Sequence, residues 1–225
     1  MRPSKPSAAT VNRFLTTALR ASDMCRESLQ LVADAFVDAH VEAPANLSLE
    51  VGTREGGSAW LMLSLLGELY VPAERPMLFT VDPYGGKPYA GGDLVARDKL
   101  YDKDTYRRAR HWLAEFPWHA HYYMTSETFL NALSGETYYS HGEEQVIGHY
   151  GFVLLDGDHT AIAIAGELET ILQDMAPKGR IVVDNVDKDP DTLRLIGEVV
   201  AGRVKVHVLT EGRPKGGAQV LLEMP

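Results

Sequence analysis

Short apolar runs alternate with helix-like segments along most of this 225-residue chain. Each run is bounded by glycine, proline or acidic residues, as is typical of buried strands. Strands that alternate with helices pack into a mostly parallel sheet with helices on both faces, because the crossovers between them are right-handed. The alternation therefore predicts an α/β fold.

The predicted elements follow a regular order. Strands are predicted at 47–51, 77–81, 119–124, 152–155, 180–183, 203–209 and 218–223. Helices are predicted at 58–70, 104–116, 126–134, 161–175 and 189–201, after one or two amphipathic helices within 8–40. The turn at 212–217 is too short for a crossover, so the two strands that it joins must be antiparallel.

Two segments, 84–103 and 135–149, are polar and show no periodicity, so we expect irregular loops there. Tyrosines at positions 84, 89, 101 and 106 either line a substrate lid or lie on a plain surface loop. We divide the chain into an N-terminal helical extension, 1–46, packed on a single domain, 47–225.

Composition limits the classes of partner. The formal net charge of −9 argues against nucleic acid or an anionic membrane as a partner. No apolar run approaches the roughly 20 residues that cross a bilayer, and the basic first residues lead into no apolar signal segment. The single cysteine, Cys25, excludes an internal disulfide and fits a reducing compartment. We therefore expect a cytoplasmic protein that acts on small molecules.

Acidic residues recur at the ends of four predicted strands. They are Glu50, Asp82, Asp156 and Asp184. Ligands of open parallel sheets bind beyond the carboxyl ends of the strands, where the strand order reverses. We therefore expect these side chains to converge on one crevice.

The first of these strand ends carries a glycine-rich turn, Leu-Glu-Val-Gly-Thr-Arg-Glu-Gly-Gly-Ser at 49–58. Its G-x-x-x-G-G spacing differs from the G-x-G-x-x-G of dinucleotide sites. Glu50 and Glu55 flank the turn, which suits a positively charged ligand better than a diphosphate. The alternative that this turn has only a structural role stays open. Asp82 either accepts the two hydroxyls of a ribose or is a turn residue before Pro83.

Hard oxygen donors follow the predicted strands at 152–155 and 180–183. The segment 154–159, Leu-Leu-Asp-Gly-Asp-His, presents Asp156 at the strand end. The segment 182–185, Val-Val-Asp-Asn, presents Asp184 and Asn185. Magnesium prefers such oxygen ligands. His159 lies close enough to share the site and is able to take a proton near neutral pH. Its alternative role is to cap the following helix.

Together these motifs resemble those of class I S-adenosylmethionine-dependent methyltransferases, specifically the metal-dependent O-methyltransferases of the catechol, caffeoyl-coenzyme A and macrocin types. The resemblance covers about residues 47–225 and is tightest over 49–66. It implies a Rossmann-like, seven-stranded, mostly parallel sheet with an antiparallel last strand. The residues that it implies for S-adenosylmethionine are Glu50, Gly52, Thr53, Gly56, Ser58, Asp82 at the ribose, Thr125 and Ser126 at the adenine, and Asp156.

The resemblance also implies a catalytic mechanism. Asp156, Asp184 and Asn185 match the family's ligands for Mg²⁺ or another divalent ion, and His159 occupies the position of its general base. The expected partner is a small-molecule acceptor, a vicinal diol, a sugar or a catechol-like compound. Catechol-type members usually carry lysine where macrocin-type members carry histidine, so His159 favours a sugar or another natural product. Assembly into a homo-oligomer stays open.

Some positions depart from the family pattern. Arg54 stands where the family often has tyrosine, and Gly57 stands where it has an aromatic or polar residue. The segments 84–103 and 135–149 are insertions relative to catechol-type enzymes. Two rivals stay open: a nicotinamide-dependent oxidoreductase, which the glycine spacing disfavours, and a cofactor-binding protein without turnover, which the intact ligand set disfavours.

Overall fold

The computed structural model describes residues 3–44, 46–84, 103–140, 142–209 and 217–225. Its helices are α1 (Ala8–Ala18), α2 (Arg26–Glu42), α3 (Gly57–Leu69), α4 (Lys103–Leu113), α5 (Ser126–Leu133), α6 (Ala161–Ile171) and α7 (Thr192–Val200), with a 3₁₀ turn at Pro72–Glu74. Its strands are β1 (Leu47–Val51), β2 (Leu78–Val81), β3 (His119–Tyr122), β4 (Thr137–Ser140), β5 (Glu143–Val146), β6 (Tyr150–Leu155), β7 (Met175–Val183), β8 (Lys205–Leu209) and β9 (Gln219–Glu223).

Seven of the described strands form one sheet in the order β3-β2-β1-β6-β7-β9-β8. The neighbours from β3 to β7 are parallel, and β9 is antiparallel to both β7 and β8. The predicted Rossmann-like sheet with an antiparallel last strand is therefore confirmed. After β3 the chain returns to the other side of β1, so the strand order reverses between β1 and β6. This reversal is where open α/β sheets bind ligands.

Helices cover both faces of the sheet. Helices α1 to α4 pack on the face that carries Phe152 and Leu154. Helices α5 to α7 pack on the face that carries Val153 and Leu155. Alternate residues of β6 thus belong to two cores, as the twofold side-chain period of a strand requires. The N-terminal helix α2 contacts β6 and β7 directly, so it belongs to the first of these cores.

The segment 135–149 is not wholly irregular, and that part of the sequence prediction is wrong. Strands β4 and β5 pair as an antiparallel hairpin, with Thr137 opposite Val146. All residues of β5 are exposed, so the ribbon lacks the apolar alternation that marks a half-buried strand. The hairpin leads into Tyr150, the first residue of β6, so its base lies at the sheet edge opposite the carboxyl ends.

A second difference concerns the boundary between α6 and β7. The Pro-Lys-Gly sequence at 177–179 predicts the end of a helix, but α6 already ends at Ile171 and β7 begins at Met175. The three residues lie in an irregular part of β7, where Lys178 has a φ of +62° and the pairing with β6 shifts register. Of the predicted loop at 84–103, residues 85–102 lie outside the described residues. No described helix is long and apolar enough to span a membrane.

Candidate functional site

Backbone hydrogen bonds hold the predicted strand ends side by side. The amide of Asp156 donates to the last carbonyl of β1 at 2.9 Å, and the amide of Asp184 donates to the last carbonyl of β6 at 2.9 Å. On the other side, the amide of Gly52 donates to the last carbonyl of β2 at 2.9 Å, and that of Asp82 to the last carbonyl of β3 at 3.2 Å. The expected convergence at one sheet edge is therefore what the fold produces.

Gly52 makes the closest approach at the reversal of strand order. Its φ is +89°, and a Cβ there would lie 2.2 Å from the carbonyl oxygen of Asp156. No larger residue fits without moving one of the two loops. Gly56, also at φ +89°, is the N-cap of α3. The start of the glycine-rich turn thus lies directly against the residues that follow β6.

Glu50 is a buried carboxyl group beneath this turn. Ser58 Oγ donates to Glu50 Oε1 at 2.5 Å, whereas Glu50 Oε2 and Thr53 Oγ1 are buried without a hydrogen-bond partner among the described residues. Burial, reinforced by the nearby charge of Asp82, raises the pKa of Glu50 to about 8. Buried polar atoms without partners cost free energy, so a ligand that satisfies them would gain binding energy.

Asp82 ties the loop after β1 to the loop after β2. Its Oδ2 accepts the backbone N–H of Arg54 at 2.9 Å, and its Oδ1 accepts that of Tyr84 at 2.9 Å. The hydroxyl of Tyr84 donates in turn to the carbonyl of Arg54 at 2.8 Å. Asp82 therefore fills the turn role that its position before Pro83 suggested. The carboxylate also interacts with the backbone of Thr53, and a carboxylate has about four lone-pair sites in all, so the ribose role stays a prediction.

Burial raises the pKa of Asp82, so both acids of this half of the site are less acidic than usual. Arg54 and Tyr84 hold their loops at positive φ, 47° and 41°, which is costly for residues with side chains. The backbone is thus strained where it surrounds Asp82.

The second half of the site gathers the predicted metal ligands and the predicted base. Asn185 Nδ2 donates to Asp184 Oδ2 at 2.6 Å and lies 3.5 Å from His159 Nε2. His159 Nε2 is 3.8 Å from Asp156 Oδ1. Loss of hydration and the adjacent charge of Asp184 raise the pKa of Asp156 well above its usual value. The structure thus brings all four predicted side chains together.

The donor chemistry of this cluster fits a hard divalent cation. Two crowded carboxylates repel each other, and a cation between them would relieve that repulsion. Asn185 presents its amide nitrogen to Asp184, and a half-turn of the amide group would present the oxygen instead. No group of three or more His, Cys, Asp or Glu side chains in the described part of the chain is arranged as a metal site. The fit therefore depends on two carboxylates and one amide.

The residues predicted at the adenine already have structural partners. Thr125 is the N-cap of α5 and its Oγ1 accepts the N–H of Thr128 at 3.2 Å. Ser126 Oγ donates to Glu167 Oε1 at 2.5 Å, and burial raises the pKa of Glu167 to about 7. Both residues follow β3 at the same sheet edge as Asp82, and their contact with adenine stays a prediction.

Sequence reasoning missed two residues near the site. Gln219 is fully buried and its Nε2 donates to Asp184 Oδ1 at 2.5 Å. The available signal was the antiparallel last strand, whose first residue must lie at the carboxyl edge of its parallel neighbours. Asp23, between α1 and α2, forms an ion pair with Arg54. The N-terminal segment therefore reaches the glycine-rich turn.

The sequence block from β1 to the residues just after β7 matches a known family model. Residues 49–186 match the model described as "Methyltransferase domain". The chain belongs to this methyltransferase family. The predicted resemblance to class I methyltransferases is therefore confirmed, and the cluster of acids lies at the ligand-binding edge of a methyltransferase fold.

Solved structures share the fold of this methyltransferase across its whole length. The O-methyltransferase from Bacillus cereus, in complex with SAH, is 14% identical with a TM-score of 0.61, covering 98% of this chain and 92% of that one. The O-methyltransferase TomG from Streptomyces achromogenes, in complex with SAM, is 17% identical with a TM-score of 0.60, covering 98% and 91%. The O-methyltransferase NovP is 12% identical with a TM-score of 0.68, covering 97% and 99%. No curated protein sequence matches the chain.

Proposed function

We propose that this methyltransferase transfers the methyl group of S-adenosylmethionine to a hydroxyl of a small-molecule acceptor, with the assistance of a divalent cation. One observation carries the proposal. The side chains of Asp156, Asp184, Asn185 and His159 lie together, directly beside Gly52 at the reversal of strand order. The cluster thus combines cation ligands with a base at the ligand-binding edge of the sheet.

The β1 and β2 side of the crevice would bind the methyl donor. S-adenosylmethionine supplies an electrophilic methyl group on a positively charged sulfonium. Glu50 and Asp82 are the carboxyl groups of this side, and the positive charge of a bound sulfonium would favour their ionised forms. Gly52 allows the loop after β1 to approach Asp156 closely. The complexes of the Bacillus cereus and Streptomyces achromogenes proteins with SAH and SAM support this choice of donor.

The β6 and β7 side would bind the acceptor. When bound there, a divalent cation lowers the pKa of a coordinated hydroxyl and fixes its orientation. Asp156 and Asp184 would hold the cation through carboxylate oxygens, and Asn185 through its amide oxygen. A cation with open positions favours an acceptor with two neighbouring oxygens, such as a sugar diol or a catechol.

His159 would act as the general base. Its Nε2 faces the cluster, 3.8 Å from Asp156 Oδ1, and its side chain is 16% exposed, so an acceptor has access to it. The imidazole would take the proton of the acceptor hydroxyl while that oxygen attacks the methyl carbon and the carbon–sulfur bond breaks. Such a base typically contributes roughly 10²–10⁴-fold in rate.

A methyl-transfer screen tests the proposal. Labelled S-adenosylmethionine is incubated with catechol, vicinal-diol and sugar acceptors, in Mg²⁺ and in EDTA, while calorimetry follows donor binding. We expect transfer in Mg²⁺, loss of transfer in EDTA, and donor binding in both. Full transfer in EDTA would contradict the role of the cation. Donor binding without transfer to any acceptor would favour a cofactor-binding protein without turnover.

A further inference from the structure

The one strand that runs against its neighbours in the described sheet brings a polar side chain to the proposed cation site. Strand β9 pairs antiparallel with β7, with Val220 opposite Val183. The start of β9 therefore lies beside the end of β7, and Gln219 is its first residue. Gln219 is fully buried, and its Nε2 donates to Asp184 Oδ1 at 2.5 Å.

Asp184 is consequently held between two amide groups. Gln219 Nε2 donates to its Oδ1, and Asn185 Nδ2 donates to its Oδ2 at 2.6 Å. The hydrogen bond from Gln219 restricts the rotation of the carboxylate, and it remains when the amide of Asn185 turns its oxygen toward a cation. Asp184 is 5% exposed, so water has little access to replace either amide.

The residues before Gln219 are packed closely against the end of β7. A Cβ on Gly217 would lie 2.4 Å from Asn185 Oδ1 and 2.9 Å from Asn185 Cα. The amide of Ala218 donates to Asp187 Oδ1 at 2.8 Å. The start of β9 is therefore held against the segment that carries Asp184. These contacts fix the position of the Gln219 backbone relative to Asp184.

We infer that Gln219 is a positioning residue that orients Asp184 for the cation, an inference that rests on the proposed function. A carboxylate held in its binding orientation loses less conformational freedom when the cation binds. Partners behind a ligand commonly account for about 10- to 100-fold of metal affinity. Gln219 itself would touch neither the acceptor nor the donor.

The test compares Gln219→Met with Leu221→Met, a control on the same strand and the same sheet face. Mn²⁺ replaces Mg²⁺ as the probe because it prefers the same oxygen ligands and is visible by electron paramagnetic resonance. Calorimetry with S-adenosylmethionine and thermal unfolding are measured alongside. In Gln219→Met we expect Mn²⁺ affinity to fall by about tenfold or more, whereas donor affinity stays within about twofold. Leu221→Met should match the wild type in both.

A milder variant, Gln219→Asn, keeps the amide but shortens the side chain, so it should also weaken Mn²⁺ binding if Gln219→Met does not fold. Unchanged Mn²⁺ affinity in a folded variant would overturn the inference and leave the proposed function intact. Parallel loss of Mn²⁺ binding, donor binding and thermal stability would reduce Gln219 to a structural role. A wild-type protein that binds the donor but no Mn²⁺ would overturn the cation assignment and this inference with it.

Discussion

The carboxyl groups around the crevice differ in how many of their oxygen atoms already accept a hydrogen bond from the protein. Glu50 has one oxygen bonded to Ser58 and the other without a partner among the described residues. Asp82 has both oxygens bonded to backbone amides. Substitutions of these two acids should therefore differ in their structural side effects, with Asp82 the more costly to the fold.

Asp82→Ala should weaken the binding of S-adenosylmethionine. The loss of a charged hydrogen-bond acceptor is worth about 1.5–3 kcal/mol, which corresponds to about 10- to 150-fold in affinity. The same change leaves the amides of Arg54 and Tyr84 without this carboxylate, so the melting temperature should also fall. Calorimetry and thermal unfolding measure the two effects. Asp82→Asn, which keeps the shape and one acceptor oxygen, is the matched control, and unchanged donor affinity in folded Asp82→Ala would disprove the ribose assignment.

His159→Ala should separate the base from the cation ligands. We expect methyl transfer to slow by roughly 10²–10⁴-fold, while the affinities for Mn²⁺ and donor stay near those of the wild type. Asp184→Ala should lose Mn²⁺ affinity and rate together, because an oxygen ligand is removed. The defect of His159→Ala should shrink as pH rises, since hydroxide is able to replace a missing base.

Two results would remove His159 from its proposed role. Loss of Mn²⁺ binding in His159→Ala would make the residue a ligand or a support for one. Full activity from about pH 6 to pH 9 would leave it without a catalytic role. The alternative role as a helix cap is not open, because Thr160 is the N-cap of α6.

At the scale of elements, the crevice depends on how closely the loop after β1 approaches the loop after β6. Gly52 permits this approach because its positive φ and the 2.2 Å contact that a Cβ would make both require the absence of a side chain. Gly197, inside α7, offers the opposite case, since a Cβ added there would meet nothing within 4 Å. The two glycines therefore form a matched pair.

Gly52→Ala should lower both the free energy of unfolding and the donor affinity, because the new methyl group forces the two loops apart. Gly197→Ala should instead raise the free energy of unfolding by about 0.5–1 kcal/mol, since alanine loses less backbone entropy in a helix. Urea unfolding and donor calorimetry on both variants check this. Wild-type donor affinity in Gly52→Ala would show that the close approach does not shape the donor site.

At the scale of the whole molecule, buried histidines link stability to pH. His40 is fully buried between Tyr70 Oη at 3.1 Å and Ser48 Oγ at 2.9 Å. Burial lowers its pKa to about 3. On β3, burial likewise lowers the pKa of His119 to about 3 and that of His121 to about 4. The folded protein therefore keeps these rings neutral at pH values where the unfolded chain binds protons.

The contribution of these three histidines to the free energy of unfolding should accordingly fall as pH drops from about 6.5 toward 4. Each histidine that is protonated only in the unfolded chain contributes a slope of about 1.4 kcal/mol per pH unit. Glu50 acts in the opposite sense, because its raised pKa makes the folded state less stable as pH rises from its ordinary value toward 8. Comparison of wild type with His40→Gln by urea unfolding isolates the contribution of His40. Parallel pH profiles of the free energy of unfolding for the two proteins would contradict a contribution from His40.

The sequence by itself determined the fold class, the strand ends and the order of the acids along the chain. Apolar runs bounded by glycine and acidic residues are local signals, and the crossover rules convert them into a parallel sheet. Because parallel strands end at one edge, Asp82, Asp156 and Asp184 could be placed together before any contact was known. The hairpin at 137–146 was not predicted, because a two-stranded ribbon that is exposed to solvent shows no apolar periodicity.

Only the tertiary structure decided which partners these acids have. That Asp82 accepts the amides of Arg54 and Tyr84, and that Gln219 donates to Asp184, follows from contacts that the folded chain alone creates. A change of a few tenths of an ångström in the distance between two side chains makes or breaks a hydrogen bond, and the packing of whole elements sets that distance. The types of residue and their spacing along the chain do not specify such distances. The hydrogen-bond partners of Asp82 and Asp184 are therefore visible only in the folded chain.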